Sequence, residues 1–501
     1  MKNMKKYILI LMTALLTLSS CNKWLDIQPA NTINEDDLFN TGDGYRIALN
    51  GIYLKLASSS LYGRELTYGM TEALAHTHEP ELAYKNNLVY KDMSNFEYTS
   101  DAAKGIISGI WSESYNIIAN CNNLIDHIQK EGTAKFAQGE KERSLIYGEA
   151  LAVRAMCHFI ILQYFAPAPK LNVPDENGKY DFYLPYYDTF SREIAEYLDI
   201  PAFIAKIQED FIAARDLVRA YDLADDLNVY RLTSKYRFTG ATSNSAYPQP
   251  DDIFFAFRGY RMNYYAITAF LAKVYDYNGQ YSEAKKEAME VIDAKAGAEK
   301  IFYITPSEDA PKDYKLSNDL LFGLSKGTLT DDYGRFRNAG TTLQLNSAYS
   351  TIISPATTDY RWRTLVGANG DGNLVCKRYS GEGQSTNDIL PVIRLSEMFY
   401  IVAEYYAAYA GMFNESRQFI ETVQVGRGAP ENQLAGRITD MESFGEELLK
   451  DVRVEFIEEG KIFYYCKKFN IKPDAWDKGS SSVFQPSNWY FALPDNEFGV
   501  N

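Results

Sequence analysis

The spacing of small and aromatic residues in one helical hairpin constrains the fold more than any other feature of the chain. Residues 264–277 and 281–293 each place apolar side chains at helical intervals, and Gly279 lies between the two segments. The intervals of a tetratricopeptide unit are carried by Ala272, Tyr275, Gly279, Tyr281 and Ala284. Because small residues allow paired helices to approach closely, the stretch predicts two packed antiparallel helices.

Helical periodicity recurs over most of the chain. Apolar stripes predict further helices over residues 45–56, 111–128, 145–165, 201–219, 392–410, 414–425 and 443–468. The segments on either side of Gly411 repeat part of the tetratricopeptide spacing. In contrast, residues 301–390 are rich in Gly, Asp, Asn, Ser and Thr, which predicts a long irregular insert. We therefore expect a mainly α fold with helical hairpins as scaffold and a loop-rich insert with minor β structure.

The amino terminus has the pattern of a bacterial lipoprotein signal. Lys2, Lys5 and Lys6 precede a largely apolar run over residues 7–18, which is too short to span a bilayer as a helix. The run ends in Leu18-Ser19-Ser20-Cys21, which resembles a lipobox. We expect residues 1–20 to be removed, Cys21 to carry the lipid, and residues 21–44 to form a tether. The alternative is an ordinary signal peptide with an incidental cysteine.

Charge and motif content exclude several classes of function. The 51 Lys and Arg against 66 Asp and Glu give a net charge of -15, which repels nucleic acid. No G-x-S-x-G, H-E-x-x-H or G-x-x-x-x-G-K motif occurs, so the sequence gives no support for an enzyme. The chain is rich in Tyr, with 39 residues, and this side chain can both stack and form hydrogen bonds.

The cysteines and histidines do not form a recognisable metal motif. Cys121, Cys157, Cys376 and Cys466 lack C-x-x-C spacing, so buried free thiols are favoured, although an exported protein could also form disulfides. The cluster His76-x-His78-Glu79 lacks a further ligand and is interpreted as a solvated loop. We expect no metal and no cofactor. Whether a calcium ion stabilises one of the loops is left open by the sequence.

Several motifs along nearly the whole chain resemble the SusD/RagB family, the lipid-anchored nutrient-binding proteins of outer-membrane uptake systems in Bacteroidetes. They are Cys21–Pro29, Leu151–Ala155 with His158-Phe159 and Tyr164, Arg261–Asn263, Cys376–Tyr379, Pro391–Glu397 with Ala403-Glu404, Arg453-x-Glu455, and Glu459-Gly460. The chain departs from the family pattern at 461–467 and in its short carboxyl terminus after 492–497. His158 and the charged motif residues on helices are interpreted as structural.

The resemblance implies a SusD-like α-helical domain over residues 45–501, with an N-terminal part over about 45–230 and a C-terminal part over about 231–501. It implies a non-catalytic surface lipoprotein of the outer membrane that binds an oligosaccharide and delivers it to a SusC-like TonB-dependent transporter. The alternatives are a peptide-binding RagB-like member, a tetratricopeptide-type protein-binding scaffold and a surface glycan hydrolase.

By the same resemblance, the ligand lies on a surface formed by residues 76–100 and 326–380. Sugars present hydroxyl edges and weakly apolar faces, so their sites need flat aromatic rings and polar side chains. The candidate ligand-binding residues are Tyr84, Tyr90, Tyr98, Tyr333, Arg335 and Trp362.

Overall fold

The computed structural model describes residues 35–191, 193–234, 236–239, 248, 250–338, 342–353, 358–381, 386–474, 484–494 and 497. Cys21 and most of the expected tether therefore lie outside the described residues. The α-helices are α1 (Glu35–Leu38), α2 (Gly42–Leu56), α3 (Met70–Leu74), α4 (Pro80–Ala83), α5 (Leu88–Ser94), α6 (Asp101–Lys130), α7 (Glu140–Phe165), α8 (Ile200–Asp222), α9 (Asp226–Arg231), α10 (Tyr264–Tyr277), α11 (Tyr281–Ile292), α12 (Leu329–Asn338), α13 (Tyr349–Ile352), α14 (Tyr360–Leu365), α15 (Leu395–Glu404), α16 (Phe413–Gly426), α17 (Met441–Glu455) and α18 (Ile462–Phe469). This composition confirms the mainly α prediction.

The long helices pack side by side in chain order. Helix α7 contacts α6 and α8, α8 contacts α10, and α10 forms the expected hairpin with α11. Helix α11 in turn contacts α15, and α15 contacts α16. Helix α7 is apolar and long enough to cross a membrane, but 94% of its most apolar window is buried inside the protein. We therefore interpret α7 as the central core helix.

The strands are short and pair within the irregular regions. They are β1 (Tyr183–Pro185), β2 (Tyr197–Asp199), β3 (Lys295–Ala296), β4 (Glu299–Lys300), β5 (Leu320–Ser325), β6 (Val366–Ala368), β7 (Leu374–Cys376) and β8 (Ile389–Arg394). All four pairings in the described part of the chain are antiparallel: β1 with β2, β3 with β4, β5 with β8, and β6 with β7. The β5–β8 pair joins the start of the insert to the segment that leads into α15.

Three predicted helices begin three to ten residues too late, at α2, α6 and α7, and two others are not continuous α-helices. The predicted helix 392–410 begins as strand β8, becomes α15 at Leu395 and ends as a π-helix over Tyr405–Tyr409. The predicted helix 443–468 is two helices, because Glu458 and Gly460 take φ values of 56° and 72° in the turn between α17 and α18. A left-handed backbone conformation ends a helix, and apolar periodicity on both sides of the turn concealed the break.

The charged residues of the family-like motifs form a buried ion-pair network. Arg394 Nε contacts Glu459 Oε2 at 2.7 Å, and Lys273 Nζ contacts Glu397 Oε2 at 2.6 Å. Burial alone would raise the pKa of Glu397, but Lys273 and Lys461 lower it to about 2. Lone buried charges are costly, so each of these groups depends on its partner. The structural interpretation of Arg394 and Glu397 is confirmed, although their partners come from other elements.

The cysteines and His158 have the core positions expected of them. All four cysteines in the described part of the chain are free and buried. His158 is fully buried and stacks on Tyr186 with 3.8 Å between ring centroids, while Tyr187 N donates to its Nε2 at 3.2 Å. Burial lowers the pKa of His158 well below its usual value, and the nearby Arg154 charge lowers it further. This neutral histidine is a packed core residue.

Candidate functional site

The structure brings together the two segments expected to form the ligand surface. Glu79 N donates to Gln344 O at 2.9 Å, Asn346 N donates to Thr77 O at 2.9 Å, and Thr342 N donates to Ala83 O at 3.0 Å. These backbone hydrogen bonds join the loop before α4 to the segment after α12. Helices α5 and α12 therefore lie next to each other, and the Tyr90 and Phe336 rings meet edge to face at 5.0 Å.

An open groove of about 580 Å³ lies between α5, α6 and α12, and we call it the aromatic groove. Its lining residues are Ser59, Gly63, Arg64, Tyr68, Asn87, Val89, Tyr90, Ala102, Ile106, Lys326, Asp332, Arg335 and Phe336. Three aromatic rings, Tyr68, Tyr90 and Phe336, form its floor, and at 1%, 3% and 8% exposure each presents only a small part of its surface to the groove. Val89 and Ile106 widen the apolar surface, while the polar side chains stand at the rim.

The rim of the aromatic groove carries ion pairs that hold its polar groups in place. Asp332 contacts Lys326 Nζ at 3.1 Å, accepts a hydrogen bond from Thr328 Oγ1 at 2.8 Å and pairs with Arg335. Partial burial would raise the pKa of Asp332, but these three donors lower it. The Arg335 side chain is 73% exposed although it pairs with Asp332, so its guanidinium faces solvent at the groove. Such a rim can donate hydrogen bonds to a polar ligand.

The carboxylate of Glu65 holds the Tyr90 ring of the floor in place. Tyr90 Oη donates to Glu65 Oε1 at 2.9 Å, and Arg64 Nε donates to the same oxygen at 2.7 Å. Burial raises the pKa of Tyr90 well above its usual value, and the Glu65 charge raises it further. Tyr90 therefore stays protonated and keeps its ring in one orientation.

The six candidate side chains have different surroundings. Tyr90 and Arg335 line the aromatic groove together. Tyr84 is 1% exposed and hydrogen-bonds His78 Nδ1 at 2.8 Å, and Tyr333 is 2% exposed and donates to Glu458 Oε2 at 2.9 Å. These two rings do not line the aromatic groove; Tyr333 packs edge to face on Tyr68 at 5.1 Å, and Tyr84 stacks on Tyr90 at 5.8 Å.

The other two candidates lie outside the aromatic groove. Tyr98 lines a neighbouring groove of about 740 Å³ and donates through its hydroxyl to Asn488 O at 2.9 Å. Trp362 is half-buried against the small apolar cluster that contains Tyr349 and Val366. The expected lipid site, Cys21, lies outside the described residues.

The histidine cluster is not the solvated loop that the sequence indicates. His76 and His78 are buried, and His78 Nε2 contacts Glu458 Oε1 at 2.9 Å. Glu458 is far away along the chain, so the local sequence carried no sign of this partner. No cluster of three or more potential metal-ligating side chains occurs within the described segments.

Sequence reasoning missed most of the groove lining. Phe336 follows Arg335 on α12 and could have been found from its helical spacing with Tyr333. Tyr68 and Arg64 lie between α2 and α3, outside both expected segments, and only the fold brings them to the site. Among the described residues that line the groove, Asp332 is the one carboxylate.

Comparisons with known proteins agree with this architecture. Residues 23–221 match the model of a SusD-like family described as starch-binding and associating with the outer membrane. The chain is 25% identical over 171 residues to SusD-like protein P2 of Formosa agariphila and 24% identical over 163 residues to SusD-like protein P25 of the same organism. These matches span 34% and 31% of this chain and only 32% and 29% of the two relatives.

Solved structures share the fold over most of the chain. A SusD superfamily protein from Bacteroides thetaiotaomicron superposes with a TM-score of 0.66 at 17% identity, covering 92% of this chain and 98% of its own. A SusD-like protein from Bacteroides fragilis gives a TM-score of 0.65 at 14% identity over 94% and 98%. A laminarin-binding SusD-like protein gives 0.61 at 12% identity over 92% and 97%. These likenesses show that the chain has the SusD-like fold over most of its length.

Proposed function

We propose that this protein is a surface lipoprotein that captures an oligosaccharide in the aromatic groove and passes it to a SusC-like TonB-dependent transporter without chemical change. Cys21 carries the lipid that holds it to the outer membrane, and residues 45–501 act as one SusD-like unit. The family description and the laminarin-binding neighbour, whose ligand is known only for that protein, support a glycan as the ligand.

The observation that carries the proposal is the composition of the groove. It combines a ring floor of Tyr68, Tyr90 and Phe336 with the guanidinium groups of Arg64 and Arg335, which are 37% and 73% exposed. The exposed aromatic surface suits the C–H faces of sugars, and the guanidinium groups can donate to hydroxyl oxygens. The cationic rim does not favour basic peptides, which supports glycan over peptide at this groove.

Calorimetric titration of soluble residues 22–501 with a panel of starch, laminarin, host and plant oligosaccharides tests the proposal, with mixed peptides in parallel. Arg335→Ala should weaken glycan binding about tenfold, since a hydrogen bond from a charged donor contributes about 1.5 kcal/mol. Arg335 is mostly exposed, so this substitution should leave the fold intact.

Arg437→Ala is the matched control, because Arg437 is also exposed, pairs with Glu447 and lies outside the groove lining. Binding to peptides alone, release of shorter sugars in product analysis, or equal weakening by both variants would each contradict the proposal.

A further inference from the structure

The groove that contains Tyr98 is a second apolar surface beside the aromatic groove, and we call it the tail groove. It has a volume of about 740 Å³ and lies between the start of α6 and the carboxyl-terminal segment 487–494. Phe96, Tyr98 and Tyr490 supply aromatic surface, and Asn488 and Ser108 supply hydrogen-bonding groups. Its charged lining residues, Asp101 and Lys104, are of opposite sign. This is a surface suited to a neutral polar chain.

Both grooves are lined by the first two turns of α6. Ala102 and Ile106 face the aromatic groove, whereas Asp101, Gly105 and Ser108 face the tail groove. A helix turns by about 100° per residue, so Gly105 and Ala102 lie only about 60° apart around the axis. Ala102 and Gly105 therefore form a ridge between the two grooves.

The ridge carries no bulky side chain. Ala102 and Gly105 are exposed, and a Cβ added at Gly105 would have no neighbour within 4 Å. Gly109, one turn further, is partly exposed, and a Cβ there would first meet Ser60 Oγ at 3.6 Å. A chain leaving the aromatic groove over this ridge therefore meets at most a methyl group before it reaches the tail groove.

We propose that the ligand is an extended oligosaccharide that occupies both grooves at once and crosses α6 over Ala102 and Gly105. This inference rests on the proposed function and adds the length of the ligand to it. Sugar units held in the tail groove bind as part of a chain already anchored in the aromatic groove, so their attachment is effectively intramolecular. Affinity should therefore rise steeply between chains that fill one groove and chains that reach the second.

The test compares trisaccharides and octasaccharides prepared from starch and laminarin, titrated into soluble residues 22–501. The octasaccharide should bind at least about tenfold more tightly than the trisaccharide. Gly105→Trp builds a wall on the ridge and Ser487→Trp fills the tail groove, so in each variant the octasaccharide should bind no more tightly than the trisaccharide. Gly105→Ala is the matched control, because a methyl group leaves the ridge open.

The outcomes separate this inference from the proposed function. Glycan binding that is sensitive to Arg335→Ala but equal for both chain lengths would overturn the two-groove inference and leave capture in the aromatic groove intact. A length-dependent gain that survives both tryptophan variants would also overturn it. Failure of the whole glycan panel would refute the proposed function and the inference together.

Discussion

Replacing Glu455 with glutamine should strongly destabilise the fold, because this carboxylate joins two buried arginines. Glu455 is fully buried and accepts hydrogen bonds from Arg361 Nη1 at 3.0 Å and from Arg427 Nε at 3.1 Å. Removing one partner of a buried ion pair costs about 3–5 kcal/mol, since the remaining charge stays desolvated. Each arginine keeps at least one other carboxylate, so we expect a loss near the lower limit, about 3 kcal/mol.

Urea unfolding of soluble residues 22–501, followed by far-ultraviolet circular dichroism, measures this loss as a change in midpoint at constant slope. Glu81→Gln is the matched control, because Glu81 forms an exposed pair with Lys91 at 2.8 Å. Exposed pairs contribute little, so the control should leave the midpoint nearly unchanged. If Glu455→Gln shifts the midpoint no more than Glu81→Gln does, the buried ion pairs of Glu455 do not stabilise the fold.

Four further predictions concern one buried carboxylate, two helix glycines and the buried thiols. Burial raises the pKa of Glu72 from 4.5 to about 8. The protonated side chain therefore contributes its full stability below pH 4.5, and this contribution is lost as the pH rises to about 8. Glu72→Gln should flatten the pH dependence of the unfolding free energy in this range. Gly148→Ala should lower that free energy by about 1–3 kcal/mol, because the new Cβ would lie 2.8 Å from Val218 Cγ2. Gly105→Ala should instead raise it by about 1 kcal/mol, since Gly105 faces open space in a helix. Burial raises the pKa of the Cys121, Cys157, Cys376 and Cys466 thiols, so a thiol reagent should label them only in urea, and labelling of the native protein would contradict their burial.

The helices could be predicted from sequence because their signal is local. The hairpin of α10 and α11 was predicted to within one residue, since apolar spacing and Gly279 define it without reference to the rest of the chain. The start of α2 was placed three residues too late, because its cap is Thr41, whose hydroxyl accepts from Gly44 N at 3.4 Å. Strand β8 was missed because its residues continue the apolar pattern of α15, and its pairing with β5 is a long-range contact.

The site was harder to predict because tyrosine serves two purposes in this chain. An abundance of Tyr indicates ligand stacking, but many tyrosines here are buried donors to buried carboxylates. Such pairs, with the hydroxyl to carboxylate distance, are Tyr53 with Glu149 at 2.8 Å, Tyr186 with Asp210 at 2.8 Å, Tyr90 with Glu65 at 2.9 Å and Tyr333 with Glu458 at 2.9 Å. A core that buries this many acids needs neutral donors as well as arginines and lysines to satisfy them.

The partners in these pairs lie between 24 and 125 residues apart along the chain, so no local pattern separates a core tyrosine from a ligand-binding one. Exposed cations carry a clearer signal, because an arginine on a polar helix face rarely belongs to the core. Arg335 was chosen as a polar side chain within the segment that the family resemblance implies, and it lines the groove. Sequence therefore reached one residue of the floor, Tyr90, and one of the rim, Arg335, whereas only the fold brings Tyr68 and Arg64 to the groove.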